Sequence, residues 1–239
     1  GDYFRYQIDR QIYPSLGELG DALNGKPTTP MYARMSSPDE AELFSRAQHV
    51  GSMGPAHVLT RRVDASRWTS LLDVAGGSGA FSIALCRRNP QLHATIVDFP
   101  NVVQIARRYV SESGLSERIA TVPGEALATQ WPGGQDAVLM SYLLSAMSAA
   151  TFRPLVDKAW QALKPGGTIL IHDFMLDDQR HGPTNAALWF VANIISGPDL
   201  VSFSASDLTT ILLDRGFTDP QSGELLSGLT GLVSARKPQ

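Results

Sequence analysis

Residues 71–81 read Leu-Leu-Asp-Val-Ala-Gly-Gly-Ser-Gly-Ala-Phe. An apolar run gives way to three glycines and then to helix formers. The chain must pass here from a buried strand through a tight turn into a helix. Glycine carries no Cβ, so the backbone N–H groups at the start of such a helix can approach a ligand closely. A second apolar run, His93–Val97, ends in Asp98, 19 residues after Gly79. An acid at the end of the next strand suits hydrogen bonding to a ribose diol. Together the two segments predict a bound nucleoside cofactor.

The rest of the chain from residue 69 onward alternates between the two periodicities. Strands are expected at 70–75, 93–98, 118–122, 136–142 and 167–173, and helices at 79–89, 101–113 and 151–163, with further helices near 184–195 and 205–215. Two last strands, 217–225 and 229–236, are separated only by Ser227-Gly228, too little for a helical crossover, so they should pair antiparallel. The expected fold is α/β: a doubly wound, seven-stranded, Rossmann-like sheet with a C-terminal antiparallel strand pair. Ligands of such sheets sit at the carboxyl ends of the strands, where Gly76–Gly79 and Asp98 fall.

Residues 1–68 read as a helical region without an evident core of its own, and 69–239 as the cofactor-binding domain. Leu16, Leu19, Ala22 and Leu23 recur at helical spacing, and Gly25–Pro30 breaks the run. Ser37-Pro38-Asp39-Glu40 is a strong helix start. Ala41, Phe44, Ala47 and Gln48 share a face, Gly51–Pro55 is expected to interrupt the helix, and a second helical run reaches Val63.

The 239 residues allow one α/β domain with an appended segment. A net charge of -3 gives no electrostatic footprint for nucleic acid or an anionic membrane surface. No apolar run has transmembrane length and no signal peptide is visible, so a cytoplasmic protein is expected. The single cysteine, Cys86, cannot form an intramolecular disulfide, which fits a reducing compartment, and it reads as a small core residue.

The identity of the cofactor turns on one position. A dinucleotide fingerprint starting at Gly77 would place its third glycine where this chain has Ser82. The pattern Asp73-x-x-Gly76-Gly77-x-Gly79, followed by Asp98, resembles instead the class I S-adenosylmethionine-dependent methyltransferases. Val97–Val103, Arg118–Glu125 and Leu163–Gly167 are similar to successive motifs of the caffeic acid and hydroxyindole O-methyltransferase family, including its bacterial secondary-metabolite branch. The resemblance covers nearly the whole chain. Residues 1–68 resemble the linker that follows an N-terminal winged-helix dimerisation domain, which implies a homodimer in the full-length protein.

By this resemblance, Gly76, Gly77 and Gly79 line the methionine part of S-adenosylmethionine, and Asp73 orients its amino group. Asp98 takes the ribose hydroxyls, with Phe99 beside it. Glu125 falls at the adenine amino group with Ala126 against the ring, Ser52 at the cofactor carboxylate, and Ser141 where plant members carry a lysine. S-adenosylhomocysteine would be the product.

The resemblance weakens where chemistry is expected. Many members carry a base histidine after the fourth strand, but here the segment reads Leu143-Leu144-Ser145-Ala146-Met147, with Ser145 at the histidine position. A serine without a partner is no general base at neutral pH. A family glutamate corresponds to Asp173, and a second aligns near Ser202, where there is no acid. Asp173 is the first candidate for positioning the acceptor or acting as a weak base, and His172 is the alternative. Both are expected near the pocket at a strand end, on opposite faces, and the same pattern suits a hydrogen-bonded structural pair. Asp177, Asp178 and His181 form a polar run without diagnostic ligand spacing, so no metal is expected. Trp189, Phe190, Phe203, Met53, Tyr142 and Met147 are candidates for an apolar pocket.

The sequence therefore predicts methyl transfer to a small, aromatic or conjugated acceptor, with oxygen, carbon and nitrogen all open. A missing base favours an acceptor that is already nucleophilic. The alternatives are hydroxylation, decarboxylation or pericyclic chemistry on the same cofactor, and a nicotinamide-dependent oxidoreductase.

Overall fold

The computed structural model describes residues 2–26, 37–196 and 202–239. Its centre is one seven-stranded sheet: β1 (Ser70–Val74), β2 (His93–Asp98), β3 (Ile119–Pro123), β4 (Gln135–Ser141), β5 (Leu163–Asp173), β6 (Thr218–Leu226) and β7 (Thr230–Arg236). The spatial order is β3-β2-β1-β4-β5-β7-β6. The first five strands pair parallel, while β7 pairs antiparallel with both β5 and β6. The switch point lies at β1 and β4, the expected place for a ligand.

Eight α-helices are described: α1 (Asp2–Arg5), α2 (Tyr13–Leu23), α3 (Pro38–Arg62), α4 (Ala80–Arg88), α5 (Pro100–Glu112), α6 (Ala149–Ala162), α7 (Thr184–Asn193) and α8 (Ala205–Arg215). Strand alternation divides the core. Leu72, Val74, Val138, Met140, Ile169 and Ile171 pack with Phe152, Leu155 and Val156 of α6 and with Leu208 and Leu212 of α8. Leu71, Leu139 and Leu170 pack with Phe81, Ile83 and Leu85 of α4, Ala106 and Val110 of α5, and Ala56 and Leu59 of α3. Cys86 is fully buried in this second layer, and burial pushes its thiol up to about 11.

The structure corrects two boundaries. Gly51–Pro55 does not interrupt the helix: α3 runs unbroken through 25 residues with Pro55 inside it. An internal proline forfeits one backbone hydrogen bond and crowds the preceding turn, but here Pro55 and Ala56 are buried by packing. Gly51, one turn earlier, lies directly under the ring of Tyr3, where a Cβ would collide. Tertiary contact thus outweighs the local breaking tendency. The strand expected to begin at residue 167 begins at Leu163, which pairs with Gln135 before the register shifts to Ala137↔Thr168. The Lys164–Gly167 stretch is the irregularity within this strand.

At the N-terminus, a π-helical segment, Tyr6–Ile12, joins α1 to α2, and Gly25 follows in the left-handed region. The remainder of the break expected at Gly25–Pro30 lies outside the described residues.

Candidate active site

One cavity of about 560 Å³ opens at the carboxyl ends of β1, β2 and β4, within the range of small-molecule sites. Its floor at one end is the loop 75–78 with Asp73, Asp98, Phe99, Glu125 and Ala126. Its other end is walled by Tyr142, Leu143, Met147, Phe174, Trp189 and Leu229. α3 closes the side with Phe44, Gln48, Ser52 and Pro55. These four recur at one-turn spacing, so they form one helical face.

Asp73 sits at the end of β1 and is almost fully buried. Ser82 Oγ donates to its Oδ2 at 2.6 Å, and Oδ1 has no hydrogen-bond partner. Burial pushes the carboxyl up to about 7, against the hydrogen bond from Ser82. An unpaired buried carboxylate oxygen is costly without a cationic partner. Gly76 exists to make room for this group: a Cβ there would stand 2.7 Å from Asp73 Cγ. Ala75 turns the chain into the loop through a left-handed backbone, at φ 53°, a conformation that non-glycine residues hold mainly where the surroundings impose it.

Asp98 closes the loop from the neighbouring strand. It accepts from the Gly77 N–H at 2.8 Å and from the Phe99 N–H at 2.7 Å. Burial nevertheless pushes its carboxyl up to about 6. Glu125 lines the cavity and also caps the next turn, accepting from the Leu127 and Ala128 N–H groups at 3.0 and 2.8 Å.

Of the residues expected at the cofactor, Ser52, Asp73, Gly76, Gly77, Asp98, Phe99, Glu125, Ala126 and Ser141 all line this cavity. Gly79 does not. It caps α4 at φ 80°, and a Cβ there would stand 2.7 Å from Ile96 Cδ1. Its bareness serves the close packing of α4 on β2.

The expected catalytic residues lie behind the cavity wall. His172 and Asp173 are fully buried and Ser145 nearly so, and none of the three lines the cavity. His172 bridges Ser141 Oγ at 2.8 Å and Thr230 Oγ1 at 2.9 Å, and burial lowers its pKa to about 3, so the ring is neutral. Asp173 accepts from the backbone N–H of Ser145 at 3.0 Å and of Phe174 at 2.8 Å, and burial raises it to about 6. The Ser145 carbonyl accepts from Asn193 Nδ2 at 2.8 Å. The expectation that one of the pair faces the pocket is therefore corrected. β5 is covered on both faces at its carboxyl end, so its side chains there point into packing and brace the residues that do line the cavity. Asp177 and Asp178 accept from the His181 N–H and the Ser206 hydroxyl. Among the described residues no three His, Cys, Asp or Glu side chains cluster to hold a metal.

Tyr142 follows β4 with φ 55°, its N–H donating to the His172 carbonyl at 2.8 Å. Its ring packs edge-on against His172 at 4.5 Å and lies tilted against Phe174 at 5.5 Å. Burial raises its hydroxyl pKa, as does the charge of Asp173, so it stays a neutral phenol. Phe174 stacks on Trp189 at 4.6 Å. Of the other apolar candidates, Met147 lines the cavity, whereas Phe190 and Phe203 pack together in the α6 and α8 layer.

Sequence reasoning missed His49. Its Nδ1 is hydrogen-bonded to Ser78 Oγ at 2.8 Å and its ring stacks on Tyr109 at 3.8 Å, which pins α3 to the glycine loop. Carrying the helical period through Gly51 and Pro55 would have brought His49 and Ser52 onto one helix beside the loop.

This fold and this loop define a Rossmann-like protein with a cavity at the switch point of its sheet. Residues 24–218 match the O-methyltransferase domain, and the chain belongs to that family. It is 34% identical over 183 residues to the 3-hydroxy-5-methyl-1-naphthoate 3-O-methyltransferase of Streptomyces sahachiroi, covering 76% of this chain and 53% of that one. It is 35% identical over 130 residues to the L-tyrosine C(3)-methyltransferase of Streptomyces lavendulae, covering 54% and 36%. The chain thus spans about half or less of the length of these relatives. The apo crystal structure of the S-adenosylmethionine-dependent methyltransferase SibL superposes with a TM-score of 0.81 at 30% identity, covering 100% of this chain and 73% of that one.

The family's cofactor is S-adenosylmethionine, and the residues present fit it. Asp73 Oδ1 has no donor, Gly76 and Gly77 leave the middle of the loop without side chains, and Phe99 and Ala126 offer apolar contact. When bound, the cofactor supplies an activated methyl group on a sulfonium.

Proposed function

We propose that this chain is the catalytic part of an S-adenosylmethionine-dependent methyltransferase acting on a small, planar, aromatic or conjugated acceptor, at oxygen. The observation that carries this is the continuity of the cavity, from Asp73 and the glycine loop to the aromatic wall of Tyr142, Phe174 and Trp189. Asp73 holds the amino group of the cofactor and Asp98 its ribose. Phe99 and Ala126 flank the adenine, with Glu125 at its edge, and Ser52 meets the carboxylate. Gly76 and Gly77 let the loop close around the ligand.

Among the described residues, none at the aromatic end supplies a histidine or carboxylate to the cavity. The protein's contribution there is alignment and exclusion of water. Asp173 and His172 act as positioning residues: Asp173 holds the Leu144–Ala146 turn to Phe174, and His172 holds Ser141 and Tyr142. Relatives that methylate oxygen and carbon leave a carbon acceptor as the second reading, favoured by the same absence of a base. The relatives lend no support to hydroxylation, decarboxylation or pericyclic chemistry, nor to a nicotinamide cofactor.

The test is incubation with labelled cofactor and a panel of phenols, following S-adenosylhomocysteine and methylated product. Stoichiometric formation of both supports the reading, and cofactor binding without transfer to any acceptor overturns it.

Assembly belongs to the same proposal. Phe4, Ile8 and Leu16 recur at helical spacing on the N-terminal helices, and with Tyr13, Leu23 and Leu188 they present exposed apolar side chains. Such a face supports a homodimer. For location, among the described residues no helix is long and apolar enough to cross a membrane.

A further inference from the structure

The glycine loop is held from two sides. The Gly77 N–H donates to Asp98 Oδ2 on β2 at 2.8 Å. Ser78, the next residue, is buried yet lines the cavity, and its Oγ is hydrogen-bonded to Nδ1 of His49 on α3 at 2.8 Å. The His49 ring stacks in turn on Tyr109 of α5 at 3.8 Å and 11°. Burial lowers its pKa, so the ring is neutral at neutral pH. His49 itself does not line the cavity. One side chain thus joins three separate elements around the site: α3, the loop, and α5, which begins beside Asp98 and Phe99.

What α3 brings to the loop end of the cavity follows directly after His49. Ser52 stands one turn further on and lines the cavity. The stretch that carries it, Gly51-Ser52-Met53-Gly54-Pro55, is a poor helix former. It holds two glycines, and Pro55 cannot donate to the Gly51 carbonyl. Local preference therefore does not fix where Ser52 stands. The helix is anchored on both sides of this stretch, at Ala56 and Leu59 by core packing and at His49 by the bond to Ser78. Ser52 and the 75–78 loop come from distant parts of the chain, and their spacing decides whether one ligand group is gripped from both sides at once.

We infer that His49 is a positioning residue for the amino acid tail of the cofactor. Its hydrogen bond to Ser78 fixes the spacing between Ser52 and the glycine loop, whereas its stack on Tyr109 serves stability. The inference rests on the placement of S-adenosylmethionine proposed above. A nucleoside without the tail does not depend on that spacing, because Asp98, Phe99 and Glu125 stand apart from the pair that His49 controls.

The experiment is calorimetric titration of the full chain with S-adenosylhomocysteine and with 5′-methylthioadenosine, which keeps the nucleoside and its sulfur but lacks the amino acid tail. Melting temperatures of the ligand-free proteins accompany it. His49→Phe keeps a ring on Tyr109 and removes the bond to Ser78. It should bind S-adenosylhomocysteine about tenfold more weakly, the scale of one hydrogen bond, and 5′-methylthioadenosine as the wild type does. His49→Asn places an amide atom where Nδ1 stands and removes the stack. It should recover most of the affinity while melting at a lower temperature than the wild type. Ser78→Ala should match His49→Phe, and the double variant should lose no more than either alone.

Equal weakening of both ligands by His49→Phe overturns the inference, as does an unchanged affinity for S-adenosylhomocysteine or an additive loss in the double variant. In each case binding by the wild type leaves the methyltransferase reading standing. A wild type that binds neither ligand overturns both. Where 5′-methylthioadenosine binds too weakly to titrate, the cycle of His49 and Ser78 variants with S-adenosylhomocysteine decides alone. Should His49→Phe not fold, His49→Leu takes its place in that cycle.

Discussion

Ser82 Oγ holds one carboxylate oxygen of Asp73 at 2.6 Å and leaves the other without a partner. The serine stands one turn into α4, where a dinucleotide-binding protein would carry its third glycine. Its hydroxyl fixes the carboxylate, and in the proposed binding mode the free oxygen serves the ligand. Asp73→Asn should weaken S-adenosylmethionine binding about ten- to a hundredfold, the range for a hydrogen bond to a charged group. Ser82→Ala should weaken it less, by freeing the carboxylate to turn. Calorimetric titration of the three proteins checks the order.

Asp73 and Asp98 together should make cofactor binding depend on pH. Without ligand, Asp73 titrates at about 7 and Asp98 at about 6, both raised chiefly by burial. In the proposed binding mode, the ammonium and ribose of the cofactor would favour the ionised forms. Affinity should therefore rise from pH 5 to pH 8, with protons released on binding, measurable by calorimetry in buffers of different ionisation enthalpy. Stability of the ligand-free protein runs the other way. A carboxyl raised above its unfolded value contributes stability that is fully present below about pH 4 and is lost as pH rises through 6 to 7. Asp73→Asn should flatten that loss, read from melting temperatures across the window.

Much of this architecture was legible because local and global preferences agree. The alternation of strand and helix, the glycine turn and the short Ser227-Gly228 link each follow from backbone chemistry that tertiary context does not override. The exceptions share a cause. Pro55 reads as a helix breaker, yet packing against the body of the protein holds α3 together. His172 and Asp173 read as site residues because polar groups at a strand end usually meet solvent or ligand. Only the fold shows that β7, the Leu144–Ala146 turn and Asn193 close over them.

The two roles of glycine in the loop should separate by mutation. Gly79→Ala combines a left-handed φ of 80° with a Cβ 2.7 Å from Ile96 Cδ1, and should cost about 2 kcal/mol or more. That corresponds to a melting temperature lower by roughly 4–8 °C for a domain of this size. Gly79→Ala with Ile96→Val should recover part of it. Gly76→Ala, whose Cβ meets only the Asp73 carboxylate at this range, should lose cofactor affinity more than stability. Paired melting and binding curves distinguish the two.

Asp173 should behave as a brace and not as a base. Asp173→Asn replaces one of two accepting oxygens by a donor facing a backbone N–H, at a cost of about 1–3 kcal/mol. Turnover should fall with the stability loss, while the pH profile of kcat for an acidic phenol keeps its shape. A profile that loses a limb near pH 6 would assign Asp173 a proton-transfer role.

The exposed apolar row on the N-terminal helices predicts an association that depends on it. Phe4→Glu with Leu16→Lys should shift the protein toward monomer in sedimentation velocity without altering S-adenosylmethionine affinity. An unchanged sedimentation profile would remove the assembly proposal.

The left-handed backbone at Tyr142 has a consequence for remodelling the acceptor end. A residue at φ 55° is drawn from a short list, with glycine, asparagine and aspartate the easiest substitutes, and β-branched side chains are effectively barred. A combinatorial library over this wall would thus find its viable diversity at Leu143, Met147, Leu226 and Leu229, with position 142 nearly invariant among the survivors. Acceptor scope in this scaffold should drift along one side of the pocket while the ring on the other side stays where the main chain puts it.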